Sequence, residues 1–221
     1  MDEPSDLIYG MRLYEEAYQG NERIVHLLLD RGADANIQGG DFGTALQAAA
    51  IEGNKQIAAA YQENEQIVRL LLDRGADANI QGDYYETALQ AAAFKGHEQI
   101  VRLLLDREAD ANVQGDQGAD INIQGGDFGT ALQAAAFEEN EQIVRLLLDR
   151  GADANLQGGY YGTALQAAAC QGNEQTVRLL LGRGADANVQ GGYVGTALQA
   201  AVFEGNKQTP SKQQHLKETS R

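Results

Sequence analysis

The sequence predicts an all-α solenoid of stacked helix–turn–helix units, and three observations lead to that fold class. First, the heptapeptide TALQAAA begins at Thr44, Thr87, Thr130 and Thr163 and returns as TALQAAV at Thr196. The spacings are 43, 43, 33 and 33 residues, so the period is 33 with ten extra residues in two units. Second, a segment close to RLLLDRGADAN follows each of the first four copies. Third, no unit can bury its own apolar side, so successive units have to stack.

Each unit is predicted to contain two helices, a turn and a loop. The first helix follows a threonine N-cap and runs through small residues, as at 131–136, which let neighbouring helices approach closely. The second helix, for example from Asn140, is apolar over more than half of its circumference, which predicts burial on nearly all sides. Gly151 is expected to end that helix in a left-handed conformation, and the Gly158-Gly159 pair to form a hairpin tip.

These motifs resemble the ankyrin-repeat family over roughly residues 11–204. The family pattern T-P-L-H-x-A-A appears here as TALQAAA, and V-x-x-L-L-x-x-G-A-D-x-N appears as VRLLLDRGADAN. The QGGxxGTALQAAA variant is similar to regular arrays of filamentous-fungal ankyrin-repeat proteins. The resemblance implies an ankyrin-repeat solenoid. Gln133 stands where the family has histidine, and its amide can still hydrogen-bond across to a neighbouring loop.

The repeat spacing also predicts the domain organisation. Residues 1–10 form a lead-in, residues 11–204 form the array, and residues 205–221 form a polar tail that we expect to be disordered. The units lie near 11–43, 44–86, 87–129, 130–162 and 163–195, with a partial unit at 196–204.

The two end units depart from the pattern. In the first, Arg12, Glu15 and Glu16 replace alanines, which is expected of a capping repeat with one face in water. In the last, Pro210 and polar residues stand where a second helix would be. Leu198, Val202 and Phe203 are therefore expected to be less covered than their equivalents, and we interpret the chain as a truncated array or a fragment of a longer one.

The ten-residue insertions are local duplications. The first, at 48–67, must bulge or lengthen a helix, because ten residues are not a whole number of helical turns. The second, at 108–127, lengthens a surface loop. Glu108 occupies the position of Gly75 and Gly151, at an expected cost of about 1 kcal/mol. This loop resembles a calcium site from Asp110 onward, but Ile121 replaces the bidentate glutamate, so no metal is predicted.

Bulk properties exclude several functional classes. A net charge of −15 disfavours nucleic acid as a partner. The single Cys170 allows no internal disulfide and fits a reducing compartment. The N-terminus has no secretory signal, and no apolar run is long enough to cross a membrane. We expect an intracellular monomer in the cytoplasm, with the nucleus as the second candidate compartment.

No catalytic or cofactor motif emerges from the sequence. His26, His97 and His215 are not spaced as metal ligands, and no phosphate-binding glycine loop is present. Cys170 stands where Phe94 and Phe137 stand in other units, which favours a small apolar filler over a nucleophile. The chain is therefore predicted not to be an enzyme and to use no cofactor.

The candidate binding residues are those that vary on the constant scaffold. By the resemblance, they line the hairpin tips and the inner groove through which ankyrin arrays hold partner proteins. They are Asp41, Tyr84, Glu86, Phe94, Lys95, Asp127, Phe137, Glu138, Tyr160, Gln171 and Tyr193. The aromatic residues Phe42, Tyr85, Phe128 and Tyr161 scarcely vary, so we expect them to pack tip against tip.

The predicted function is a non-catalytic module that binds another protein through these tips and this groove. The alternative is a truncated recognition segment of a larger receptor-like signalling protein, without an independent function.

Overall fold

A computed structural model describes residues 3–51, 58–82, 87–114 and 128–202, which form two layers of helices. The helices are α1 (Glu3–Tyr18), α2 (Glu22–Asp30), α3 (Ala45–Ile51), α4 (Ala58–Asp73), α5 (Ala88–Lys95), α6 (Glu98–Asp106), α7 (Ala131–Phe137), α8 (Glu141–Asp149), α9 (Ala164–Gln171), α10 (Glu174–Gly182) and α11 (residues 197–202). The candidate sites at Tyr84, Glu86 and Asp127 lie outside the described residues.

The odd-numbered helices from α1 to α9 form an inner layer in which each helix packs on the next, and the even-numbered helices form an outer layer. Each outer helix also packs on the inner helix that precedes it in the chain. The alanines of the inner helices are buried in one continuous core, as at Ala134, Ala135 and Ala136. This arrangement confirms the predicted all-α solenoid.

The ends of the inner helices are built as the sequence predicts. The side chain of Thr130 accepts a hydrogen bond from the Gln133 backbone N–H at 3.2 Å, as expected of an N-cap. Thr87 and Thr163 each form a full capping box with the glutamine three residues later.

The glycine predictions hold at Gly151 and need correction at the hairpin. Gly151 follows α8 with a φ of 89°, in the left-handed region. The hairpin closes through a bond from Gly158 N–H to Gly162 O at 2.8 Å. The positive φ values fall on Gly159 and Gly162, at 58° and 85°, so Gly158 is a paired residue and not part of the tip.

The outer helices are more one-sided than the sequence predicts. In α8, Ile143, Val144 and Leu147 are buried, whereas Leu146 and Leu148 are only partly covered. The described residues place no third layer of helices over the outer one, so these leucines stay partly exposed to solvent. The prediction of burial on nearly all sides was wrong for this reason.

The first insertion is taken up by a longer outer helix. Helix α4 has 16 residues, whereas α6, α8 and α10 have nine each. This confirms the prediction that a helix in the 48–67 region is lengthened, although residues 52–57 lie outside the described part of the chain. Most of the second insertion, 115–127, lies outside it as well.

The end repeats bear out one expectation and correct another. Leu198 and Val202 are 76% and 56% exposed, as predicted, while Phe203 is not among the described residues. Glu16 is buried, not turned to water, because it accepts hydrogen bonds from Arg12 Nε at 3.1 Å and Asn21 Nδ2 at 2.7 Å. A buried carboxylate is tolerated where charged and polar donors meet it.

Candidate protein-binding surface

The loops that carry the hairpins are held by an asparagine ladder. The side chain of Asp153 accepts from the Asn155 backbone N–H at 2.9 Å, which fixes the turn. Asn155 then bonds the next repeat twice, from Nδ2 to Gly184 O at 3.1 Å and from the Asp186 N–H to its Oδ1 at 2.7 Å. Asn36, Asn79 and Asn112 do the same. The recurring Asp-Ala-Asn motif therefore orders the loops between successive repeats.

A second ladder, of buried glutamines, joins the inner layer to the loops of the next repeat. Gln133 accepts from the Gly129 N–H at 2.7 Å and donates through Nε2 to Leu156 O at 3.1 Å and Gly162 O at 2.7 Å, in the next repeat. The corresponding glutamines are also buried and also reach the next hairpin; they are Gln47, Gln90 and Gln166. The expected contact from Gln133 to a neighbouring loop is thus confirmed, and it holds the 156–162 loop against the inner layer.

Neighbouring hairpins touch through their backbones as well. A Cβ atom at Gly129 would lie 2.5 Å from Gly158 Cα, too close for any side chain without movement. Glycine just before the threonine is therefore required by packing at this junction. The sequence pattern alone shows only that this position varies.

Six aromatic side chains form a continuous aromatic ladder across the last three full repeats. Ring centroids lie 5.4 Å apart for Phe94–Phe128 and 5.0 Å for Phe128–Phe137. They are 4.7 Å apart for Phe137–Tyr161, 5.0 Å for Tyr161–Tyr160 and 5.2 Å for Tyr160–Tyr193. Four candidate binding residues, Phe94, Phe137, Tyr160 and Tyr193, are therefore brought together. Phe128 and Tyr161, which were expected only to pack, connect them.

Exposure increases toward the end of this aromatic ladder. Phe94, Phe137 and Tyr160 are half-buried, whereas Tyr193 is 72% exposed. Tyr193 is nonetheless held in place, because its ring stacks on Tyr160 and its backbone N–H donates to Tyr160 O at 2.7 Å. An exposed aromatic ring on a fixed backbone is a suitable anchor for a partner protein.

The other described candidates flank the aromatic ladder or lie apart from it. Lys95 Nζ lies 5.6 Å from the Phe94 ring centroid. Glu138 is exposed at the end of α7, and Gln171 is half-buried at the end of α9. Asp41 is exposed on the first hairpin, in a repeat that carries none of the six rings of the aromatic ladder.

The first hairpin is held differently, in a way that the sequence did not reveal. Tyr14 replaces the ladder glutamine there, and its hydroxyl accepts from the Phe42 N–H at 3.3 Å. Burial raises the pKa of Tyr14 above its usual value. The Tyr18 and Phe42 rings stack 5.5 Å apart beside it. Alignment of Tyr14 with Gln47 across the repeats is the signal that could have identified this substitution.

Metal-ligating side chains are dispersed among the described residues, and the one cysteine is buried. No three His, Cys, Asp or Glu side chains among them gather closely enough to hold an ion. Cys170 is buried at 5% exposure beside Ala169, Val194 and Ala200, as a small core residue. Within the same residues, no helix is both long enough and apolar enough to cross a membrane.

Stacked helix pairs joined by ordered loops define a helical-repeat scaffold. The chain belongs to the ankyrin-repeat family: the family model for ankyrin repeats (3 copies) matches residues 13–115, 57–157, 115–191 and 132–209. Ankyrin repeats are generally protein–protein interaction modules, and the family is typically non-enzymatic. A comparison with curated proteins found no match.

Proposed function

We propose that this chain binds a partner protein through the aromatic ladder and the adjoining hairpin tips, without catalysing a reaction. The observation that carries the proposal is Tyr193, which is 72% exposed yet fixed by a ring stack and a backbone hydrogen bond to Tyr160. A preorganised aromatic side chain loses little conformational entropy on binding. The expected partner presents an apolar surface to the rings.

The surroundings of the aromatic ladder support the same use. Lys95 Nζ lies 5.6 Å from the Phe94 ring centroid, and Glu138 follows Phe137 directly at the end of α7, so polar groups adjoin the rings. An apolar centre with a polar rim is the common composition of a protein interface. Because Gln133 and Gln166 hold the hairpins of Tyr160 and Tyr193 to the inner layer, this surface needs little rearrangement to bind.

The proposal is tested by affinity capture from lysate of the source cells, with the full chain and two variants as baits. In Tyr193→Ser the exposed ring is removed, and in Leu27→Ser an apolar side chain of similar exposure, 56%, is removed from α2. A protein retained by the native chain and by Leu27→Ser, but lost from Tyr193→Ser, supports the proposal. Tyr193→Phe should retain it, since the ring remains.

Circular dichroism and thermal unfolding of all baits control for folding. If Tyr193→Ser captures the same proteins as the native chain at equal yield, the aromatic ladder is not the binding surface. Loss with both serine variants would indicate a general surface effect and would also count against the proposal.

A further inference from the structure

An apolar groove of about 330 Å³ opens at the last described repeat, between α9, α10 and α11. Its lining is almost wholly hydrocarbon and includes Leu165, Ala169, Val177, Leu181, Leu198 and Ala201. Leu198 is 76% exposed, whereas its equivalents Leu132 and Leu165 are 1% and 2% exposed. Among the described residues, no further outer helix covers this repeat junction, whereas an outer helix covers the earlier described junctions.

Each earlier junction shows what fills such a groove. The occupant is an outer helix, such as α8, with the sequence EQIVRLLLD. Its third, fourth and seventh residues, Ile143, Val144 and Leu147, are at most 2% exposed. Helix α6 presents the same pattern with Ile100, Val101 and Leu104, each 0% exposed.

The residue just before the outer helix adds a polar contact to the preceding repeat. Asn140 Nδ2 donates to Ala93 O at 3.3 Å, and His97 Nδ1 lies 3.0 Å from Ala50 O. Ala169 occupies the same place in the inner helix that lines the open groove. A helix that enters the groove with a polar N-cap would find the equivalent carbonyl there.

The chain's own downstream sequence carries only the start of this pattern, at Asn206 and Thr209, and then departs from it. One period after Thr176, Val177 and Leu180, the residues are Thr209, Pro210 and Gln213. Proline is not tolerated inside a helix, and glutamine does not replace a buried leucine. Nothing in residues 203–221 provides the apolar triplet that covers the other junctions.

From the repeated junction geometry we infer that this end groove is a docking site for an amphipathic helix of another polypeptide. The helix carries Ile or Val at its third and fourth positions, Leu at its seventh, and a polar N-cap. This surface is distinct from the aromatic ladder and does not depend on the proposed function.

The test uses the full chain and a fluorescein-labelled peptide with the sequence of residues 140–151, NEQIVRLLLDRG, in a fluorescence anisotropy titration. The matched control peptide carries V144S and L147S. We expect saturable binding of the first peptide and at least about tenfold weaker binding of the second, because the buried apolar contacts carry the affinity.

Two protein variants locate the site. Leu198→Asp changes an exposed groove residue and should weaken peptide binding about tenfold or more with an unchanged circular dichroism spectrum. Tyr193→Ser, on the aromatic ladder, should leave peptide binding unchanged. Loss of binding in Tyr193→Ser with no change in Leu198→Asp would overturn the assignment to this groove.

Other occupants give other results, each of which contradicts the inference. If residues 203–221 cover the groove, the full chain does not bind the peptide. If a second copy of the chain fills it, analytical ultracentrifugation shows a dimer that Leu198→Asp dissociates and that the peptide does not displace. Equal binding of the two peptides would mean that the groove does not recognise the apolar pattern.

Discussion

The buried glutamine ladder and an exposed ladder of Arg–Asp ion pairs between outer helices both join successive repeats, and they differ in burial. In the buried ladder, Gln133 is 1% exposed and bonds both its own repeat and the next. In the exposed ladder, Arg150 Nη1 lies 2.7 Å from Asp106 Oδ1 of the preceding outer helix, with side chains 36% and 55% exposed. A buried group that loses its partner finds no water, whereas an exposed group does. The comparison indicates that the buried amides, not the ion pairs, determine how repeats stack.

Replacing Gln133 with leucine should produce the largest effect. The change preserves volume but leaves the Gly129 N–H and the Gly162 carbonyl without their amide partner in a buried site. We expect a loss of about 2 to 4 kcal/mol in the free energy of unfolding, measured by guanidinium denaturation.

Arg150→Ala is the matched control for that experiment, because it removes one rung of the exposed ladder. Its expected cost is within about 0.5 kcal/mol and should shrink in high salt. Similar losses for the two variants would show that burial does not distinguish the ladders.

Thr176 tests whether burial also determines the cost of a polar group that belongs to neither ladder. It stands where α4, α6 and α8 carry isoleucine, it is 0% exposed, and its hydroxyl finds no hydrogen-bond partner among the described residues. Thr176→Val should raise the free energy of unfolding by about 1 to 2 kcal/mol, because the desolvated hydroxyl is removed at nearly constant shape. Thr176→Ser keeps the hydroxyl and should be less stable than the native chain. A destabilised valine variant would mean that the hydroxyl is satisfied in solution.

The sequence predicted the period, the helix pairs, the threonine caps and the role of Gln133, because each depends on local pattern repeated many times. It did not predict that Phe128 and Tyr161 join the candidate binding residues into one ladder. That contact arises between repeats, and the pattern of one unit does not show how far apart neighbouring tips lie. The burial of Glu16 was missed for a similar reason, since its partner Asn21 lies across a turn.

Two exposed glutamates allow a test of backbone strain, as distinct from side-chain contacts. Glu108 and Glu139 have φ values of 65° and 58°, in the region that glycine occupies at Gly151 and Gly96. Glu108→Gly and Glu139→Gly should each raise the free energy of unfolding by about 0.5 to 1 kcal/mol, after the larger entropy of glycine in the unfolded chain is subtracted. Thermal and guanidinium unfolding measure the gain, and the two gains should add, since the sites lie in different repeats.

Glu138→Gly is the control for Glu139, because its φ of −79° needs no glycine. It should leave stability unchanged or lower it. A gain at Glu138 equal to that at Glu139 would indicate that loss of negative charge, not relief of backbone strain, stabilises the variants.

The smallest expected effect concerns the first rung of the exposed ladder, Asp30. Arg74 Nη2 hydrogen-bonds Asp30 Oδ1 at 2.8 Å and lowers the pKa of Asp30 from 3.8, while desolvation opposes this shift and His26 adds to it. Because the folded-state pKa is lowered, the rung contributes stability above the unfolded pKa and loses it as pH falls through the folded pKa. Asp30→Asn should therefore be slightly less stable than the native chain at pH 7, with the difference vanishing in acid. Unfolding midpoints across the acidic range measure this, and the difference at pH 7 should shrink in 1 M salt because the rung is exposed. A stability difference that persisted in acid would mean that Asp30 acts through packing or loop geometry and not through its charge. The exposed ion pairs would then contribute to repeat stacking in the way that the buried amides do.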